Sequence, residues 1–110
     1  MHIEFKNNKL EKSLTIDKEV VKSFGQLAKK IKQRMIALEE ADDLSIISKL
    51  QAMRLHQYKG GRIGEWSIDI AKNWRIIFEF EHDPLPYNED GSIILEMITC
   101  IKILSVEDPH

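Results

Sequence analysis

The chain has 110 residues, 43% of them apolar and 31% charged, with a formal net charge of −2. That size fits a single domain over residues 1–110 with a modest core. No apolar run approaches the roughly 20 residues of a membrane span, and the N-terminus lacks the apolar stretch of a secretory signal, so a cytoplasmic protein is expected. The charge is uneven: residues 1–75 carry 15 Lys/Arg against 10 Asp/Glu, whereas residues 76–110 carry Lys102 alone against eight acids. Such asymmetry permits a local basic surface despite the acidic total.

Residues 3–5 alternate weakly as a short edge strand, which Asn7 and Asn8 break. Asp17 suits an N-cap. Val20, Phe24, Leu27, Ile31, Met35 and Leu38 then recur at spacings of 4, 3, 4, 4 and 3. This is one apolar helical face, with Lys22, Lys29, Lys30, Lys32 and Arg34 mostly off it. Gly25 within that pattern costs about 1 kcal/mol relative to Ala and marks a break between two helices. Asp42 or Asp43 can cap a further short helix through about Leu50.

After Gly60, Gly61 and Gly64 the period changes to two. Trp66, Ile68 and Ile70 share one strand face, and Glu65, Ser67 and Asp69 the other. Lys72-Asn73 predicts a tight hairpin turn. Trp74, Ile76, Phe78 and Phe80 then alternate with Arg75, Ile77, Glu79 and Glu81. Residues 82–91 form a polar loop with two prolines. Residues 92–106, apolar on both faces, predict a long and bent central strand. Cys100 within it reads as a buried, inert thiol and cannot form an internal disulfide. The order is a strand, helices and then a three-stranded antiparallel meander, which is an α+β fold.

Metal-free cleavage of RNA needs a base for the 2′-hydroxyl, an acid for the departing 5′-oxygen, and cations beside the phosphorane. The imidazole suits the proton transfers because its unperturbed pKa lies near neutrality. Lys and Arg suit the third task. His56, Lys59, Arg62, Arg75, Asp108 and His110 are the candidates. Each also has an ordinary reading: Arg75 as a cross-strand ion pair with Asp69 or Glu96, residues 59–62 as a plain turn, His110 as a frayed terminus. No phosphate-binding GxxxxGK[ST] or GxGxxG pattern is present. His2, His56, His82 and His110 are dispersed and one Cys does not make a zinc site by spacing, so no metal and no cofactor is expected.

The stretch RLHQYKGGRIGEWSIDIAKNWRIIFEF (residues 54–80), followed by an apolar strand and a terminal VEDPH, resembles the HigB-like branch of the RelE/ParE toxin superfamily. The opening strand and the helices extend the resemblance to nearly the whole chain. It implies helices on a twisted antiparallel sheet and the toxin of a type II toxin–antitoxin module, of the kind linked to plasmid maintenance. The implied activity is a ribosome-dependent mRNA endoribonuclease that needs no metal and inhibits translation. The implied partners are a cognate antitoxin with a helix-turn-helix domain, the ribosome and mRNA, with operator DNA reached only through the antitoxin. Carried over by position, His56, Lys59, Arg75, Asp108 and His110 are the implied catalytic set; Arg54, Arg62 and Lys72 are the basic residues expected to contact RNA beside it.

The chain departs from the family pattern at Pro109, where a Tyr is common; proline can neither stack on a base nor share a proton. Its acidic balance is also unusual for a protein that meets ribosomal RNA. These departures keep two alternatives open. One is a ParE-like toxin that binds a protein target such as a topoisomerase; the other is a catalytically degenerate interaction partner.

Overall fold

The computed structural model describes residues 1–108, so Pro109 and the predicted site residue His110 lie outside the described residues. Strand β1 (His2–Phe5) ends where Asn7 turns the chain, and its Oδ1 accepts from Leu10 N–H at 2.8 Å. That bond caps helix α1 (Asn8–Thr15). The two asparagines end the strand as expected and in the same step start a helix. Apolar spacing does not announce it, because only Leu10 and Leu14 of its eight residues turn inward. Asn7→Ala is expected to cost about 1 kcal/mol, read as a lower denaturation midpoint at unchanged slope.

Helix α2 (Asp17–Phe24) starts at the residue predicted to cap it. Ile16 holds the cap position and makes no side-chain bond, while Asp17 reaches Lys32 at 3.4 Å. The break at Gly25 is present. Gly25 has φ +53°, a left-handed value that glycine adopts without Cβ strain, and a 3₁₀ turn (Gly25–Leu27) leads into α3 (Ala28–Glu40). Ile31, Met35 and Leu38 of α3 are buried, and its lysines face outward. Asp43 caps α4 (Leu44–Ser48), its Oδ1 accepting from Ser45 N–H at 2.9 Å.

The remaining strands are β2 (His56–Gln57), β3 (Trp66–Ala71), β4 (Trp74–Phe80) and β5 (Cys100–Glu107). They form a five-stranded sheet in the order β1-β5-β4-β3-β2. The predicted meander β3-β4-β5 is its centre, and the hairpin turns at Lys72, φ +51°, and Asn73. An edge strand flanks it on each side: β1 parallel to β5, and β2 antiparallel to β3.

The long strand expected over residues 92–106 is not formed. Ile93 bridges Tyr87, Leu95–Met97 make a 3₁₀ turn, and Ile98 is buried with its carbonyl accepting from Leu44 N–H at 3.0 Å. A run buried on both sides satisfies a loop packed under α4 as well as a strand, so periodicity could not separate them. Cys100, at the start of β5, is partly rather than fully buried. Burial and its hydrogen bond to Glu4 push the thiol up to about 11, so it is uncharged at neutral pH.

The helices cover one face of the sheet. Trp66, Ile68, Ile70, Ile76, Phe78, Ile101 and Ile103 pack there against Leu14, Val20, Ile31, Leu38 and Ile47. Arg34 of α3 crosses to the sheet and donates from Nε to Asp69 O at 2.7 Å. On β5, Leu104 has no partner between the pairs Ile77–Ser105 and Phe78–Ile103. This bulge shifts the phase of the strand by one residue. Lys102, Ser105 and Glu107 therefore all turn to the face away from the helices, although their spacing is not even throughout. Among the described residues no helix is long and apolar enough to cross a membrane.

Candidate active site

Pairing across the sheet places the polar residues of the outer face in rows. His56 lies opposite Ser67, Asp69 opposite Arg75, and Arg75 opposite Glu107. His56 is thus held on the two-residue strand β2 at a fixed register. A cleft of about 530 Å³ opens beside it, lined by Arg54, Leu55, His56, Asp69 and Arg75. Three of the eight residues singled out from the sequence line this cleft.

Asp69 stands between two guanidiniums. Its Oδ1 is 3.5 Å from Arg75 Nε and its Oδ2 3.5 Å from Arg54 Nε. Of the two ion-pair partners predicted for Arg75, Asp69 is the one in place. Arg75 Nη1 donates to the Tyr58 hydroxyl at 3.3 Å. That bond raises Arg75 above the ordinary guanidinium value, with Asp69 adding to it and burial opposing. Arg75 Nε is buried, and its approach to Asp69 does not meet hydrogen-bond geometry. The Tyr58 ring also meets His56 edge-on with centroids 4.9 Å apart, and Arg62 lies 4.8 Å over its centre. Tyr58 is the residue beside the cleft that the sequence reasoning did not single out, and Asp69 was foreseen only as an ion-pair partner of Arg75. The signal for Tyr58 was its place two residues after His56, which puts both on one side of an extended segment.

The other predicted residues fall around the cleft rather than in it. Lys59 is exposed and precedes the 3₁₀ turn Gly60–Arg62. Lys72 is exposed at the tip of the β3–β4 hairpin, three residues before Arg75. Asp108 is exposed directly after β5, whose last residue, Glu107, pairs with Arg75. The chain therefore leaves the sheet beside the cleft.

Residues 3–88 match the family described as RelE-like toxins of type II toxin–antitoxin systems, HigB-like. This chain belongs to the HigB-like toxin family. Over 51 residues it is also 39% identical to the endoribonuclease HigB of Proteus vulgaris, a stretch that covers 46% of this chain and 54% of that protein. The chain spans about half the length of the curated relative it matches.

In this HigB-like chain Arg62 is not presented to solvent as an isolated cation, as the expected phosphate contact would require. Its Nη1 and Nη2 donate to the two oxygens of Glu107 at 3.0 and 2.9 Å, and Nη2 also donates to Glu65 Oε1 at 2.8 Å. The guanidinium straps the 60–65 turn to the end of β5, and a phosphate would have to displace a carboxylate to reach it. Arg62, and then Ser105, hold the Glu107 carboxyl below the ordinary carboxylate range. A carboxyl depressed in the fold stabilises above its unfolded pKa, and that contribution is lost as pH falls through the folded value. Glu107→Gln is therefore expected to leave less acid dependence in a plot of Tm against pH, with the variants converging at low pH. The difference stays small because both partners are about a third exposed and screened by water.

Proposed function

We propose that this chain is the toxin of a type II toxin–antitoxin pair and an endoribonuclease that cuts mRNA on the ribosome. It acts in the cytoplasm, and a cognate antitoxin with a helix-turn-helix domain holds it inactive and connects it to operator DNA. The observation that carries the reading is Arg75. On a HigB-like chain it lines a cleft with His56, and among the described residues only its Nη1 donates a hydrogen bond within the protein. A phosphodiester oxygen entering the cleft would take the terminal donors of Arg75 that the fold leaves unused, whereas Nε stays buried beside Asp69.

In the reaction the 2′-oxygen attacks the adjacent phosphorus and the bond from phosphorus to the 5′-oxygen breaks. The products are a 2′,3′-cyclic phosphate and a 5′-hydroxyl. The 2′-hydroxyl proton passes to one imidazole, and the 5′-oxygen receives a proton from the other. His56 and His110 are proposed for these two transfers, with Asp108 orienting His110. The pairing of Arg75 with Glu107 supports a contribution from the tail, because it brings the end of β5 to the cleft. Arg75 and Lys59 stabilise the phosphorane. Tyr58 positions both His56 and Arg75, while Arg54 and Lys72 hold flanking phosphates. Arg62 acts as a strap rather than as an RNA contact.

Induced expression in a bacterial host is expected to arrest growth and to create new mRNA 5′ ends inside coding regions, mapped by primer extension. Cleavage in an extract should require ribosomes. Intact mRNA in a cell that makes the soluble protein overturns the nuclease reading. The neutralised Arg62 and the acidic residues 76–110 favour a second reading, a domain that only binds its partners; absence of any arrest selects it. DNA-damage signalling without mRNA cuts selects a protein target instead.

A further inference from the structure

The first and last strands bring together a second set of reactive side chains at the opposite end of β5. Parallel pairing sets His2 beside Cys100 and Glu4 beside Lys102. His2 and Glu4 share a strand face because they are two residues apart. A ring nitrogen of His2, a carboxylate oxygen of Glu4 and Sγ of Cys100 lie within 4.8 Å of one another. The Cys100 thiol already donates to Glu4 Oε2 at 3.4 Å. Glu107, by the cleft, is seven residues along β5, roughly 20 Å away at strand rise.

We propose that His2, Glu4 and Cys100 bind a zinc ion that fastens edge strand β1 to β5. Zinc held at 2.0–2.3 Å by tetrahedral ligands sets them about 3.5 Å apart. The Cys100–Glu4 contact of 3.4 Å meets that spacing, and a ring nitrogen of the exposed His2 lies within 4.8 Å of both. A nitrogen, an oxygen and a sulfur donor suit a borderline-soft divalent cation, whereas magnesium and calcium take oxygen ligands. Binding replaces the Cys100 proton, which leaves to solvent, and the resulting thiolate with Glu4 balances the two positive charges of the metal.

Water fills the fourth position. His82 is not available for it, since its Nε2 accepts from Thr99 N–H at 3.1 Å and Cys100 N–H at 3.2 Å. The consequence is mechanical: β1 has four residues and pairs on one side only, and an ion at its first turn of the pleat holds it in register.

The test titrates the full chain with cobalt(II) alone and then with zinc alone. The wild type is expected to bind one equivalent, to show thiolate-to-cobalt charge-transfer absorption that zinc abolishes, and to gain Tm with zinc. Cys100→Ser should lose the absorption and the gain in Tm. His2→Gln and Glu4→Gln should each weaken zinc binding by ~10-fold or more. Cys100→Ala, which cannot form a hydroxyl ligand, serves if the Ser variant misfolds. No thiolate-to-cobalt absorption in the wild type, or zinc affinity unchanged in both Cys100→Ser and His2→Gln, overturns the proposal. Neither result bears on mRNA cleavage, which is read separately.

Discussion

Arg75→Ala is expected to reduce mRNA cleavage by ~100-fold or more and to abolish growth arrest, with the protein still folded. The magnitude is that of losing one preorganised donor aimed at developing charge. Three facts make Arg75 the most sensitive position. It lies on a central strand held between β3 and β5, so its placement is fixed by pairing on both sides. It is a permanent cation, raised further by its bond to Tyr58. Among the described residues its Nη2 donates no hydrogen bond, while Nε is buried beside Asp69. The fold should tolerate the change, because Asp69 keeps Arg54 at 3.5 Å and is not left as a lone buried charge. Arg75→Lys restores the charge but not the planar pair of donors, so partial rescue is expected. The readout is primer extension on a target transcript, with near-ultraviolet circular dichroism to confirm folding. Wild-type cleavage by Arg75→Ala would remove the residue from the mechanism.

The same cleft shows which features a linear sequence carries. The helical face from Val20 to Leu38 and the alternation around Trp66 and Ile76 were legible because burial on one side leaves a period in the sequence. The turns at Gly25 and Lys72-Asn73 were legible because their chemistry is local. Pairing is not local. His56 gains its strand from Trp66 and Ser67, nothing in residues 54–59 alone predicts it, and the two-residue β2 carries no period. Asp69 and Glu96 were equally open as partners of Arg75 until the hairpin set Asp69 opposite it. The ion pair of Arg62 was not legible because its partner Glu107 is 45 residues away. The triad His2, Glu4 and Cys100 is the extreme case, since 96 residues separate the sulfur from the carboxylate it contacts. Parallel β1–β5 pairing, which has no turn signal, creates it.

Phe78→Ala is expected to cost about 3–5 kcal/mol, the largest loss of stability from a single side chain in this chain. Phe78 is fully buried and the largest side chain to be so. It stands opposite Trp66 on β3 and Ile103 on β5, so its removal leaves a cavity under three strands at once. Domains of this size have about 5–15 kcal/mol of stability in all, and Tm should fall on the order of 15–25 °C. Phe78→Leu, which keeps most of the volume, should cost clearly less. The position also adjoins the β5 bulge, since the unpaired Leu104 follows Ile103. If packing at Phe78 sets the phase of β5, Phe78→Ala should loosen the Arg75–Glu107 pairing as well. Amide exchange separates the outcomes: faster exchange confined to residues 103–107 below the unfolding transition shows local loss of register, and uniform acceleration shows only global destabilisation. Cleavage per folded molecule then decides whether the register of β5 matters to the cleft, because Phe78 itself faces the helices and not the side of the sheet that carries the cleft.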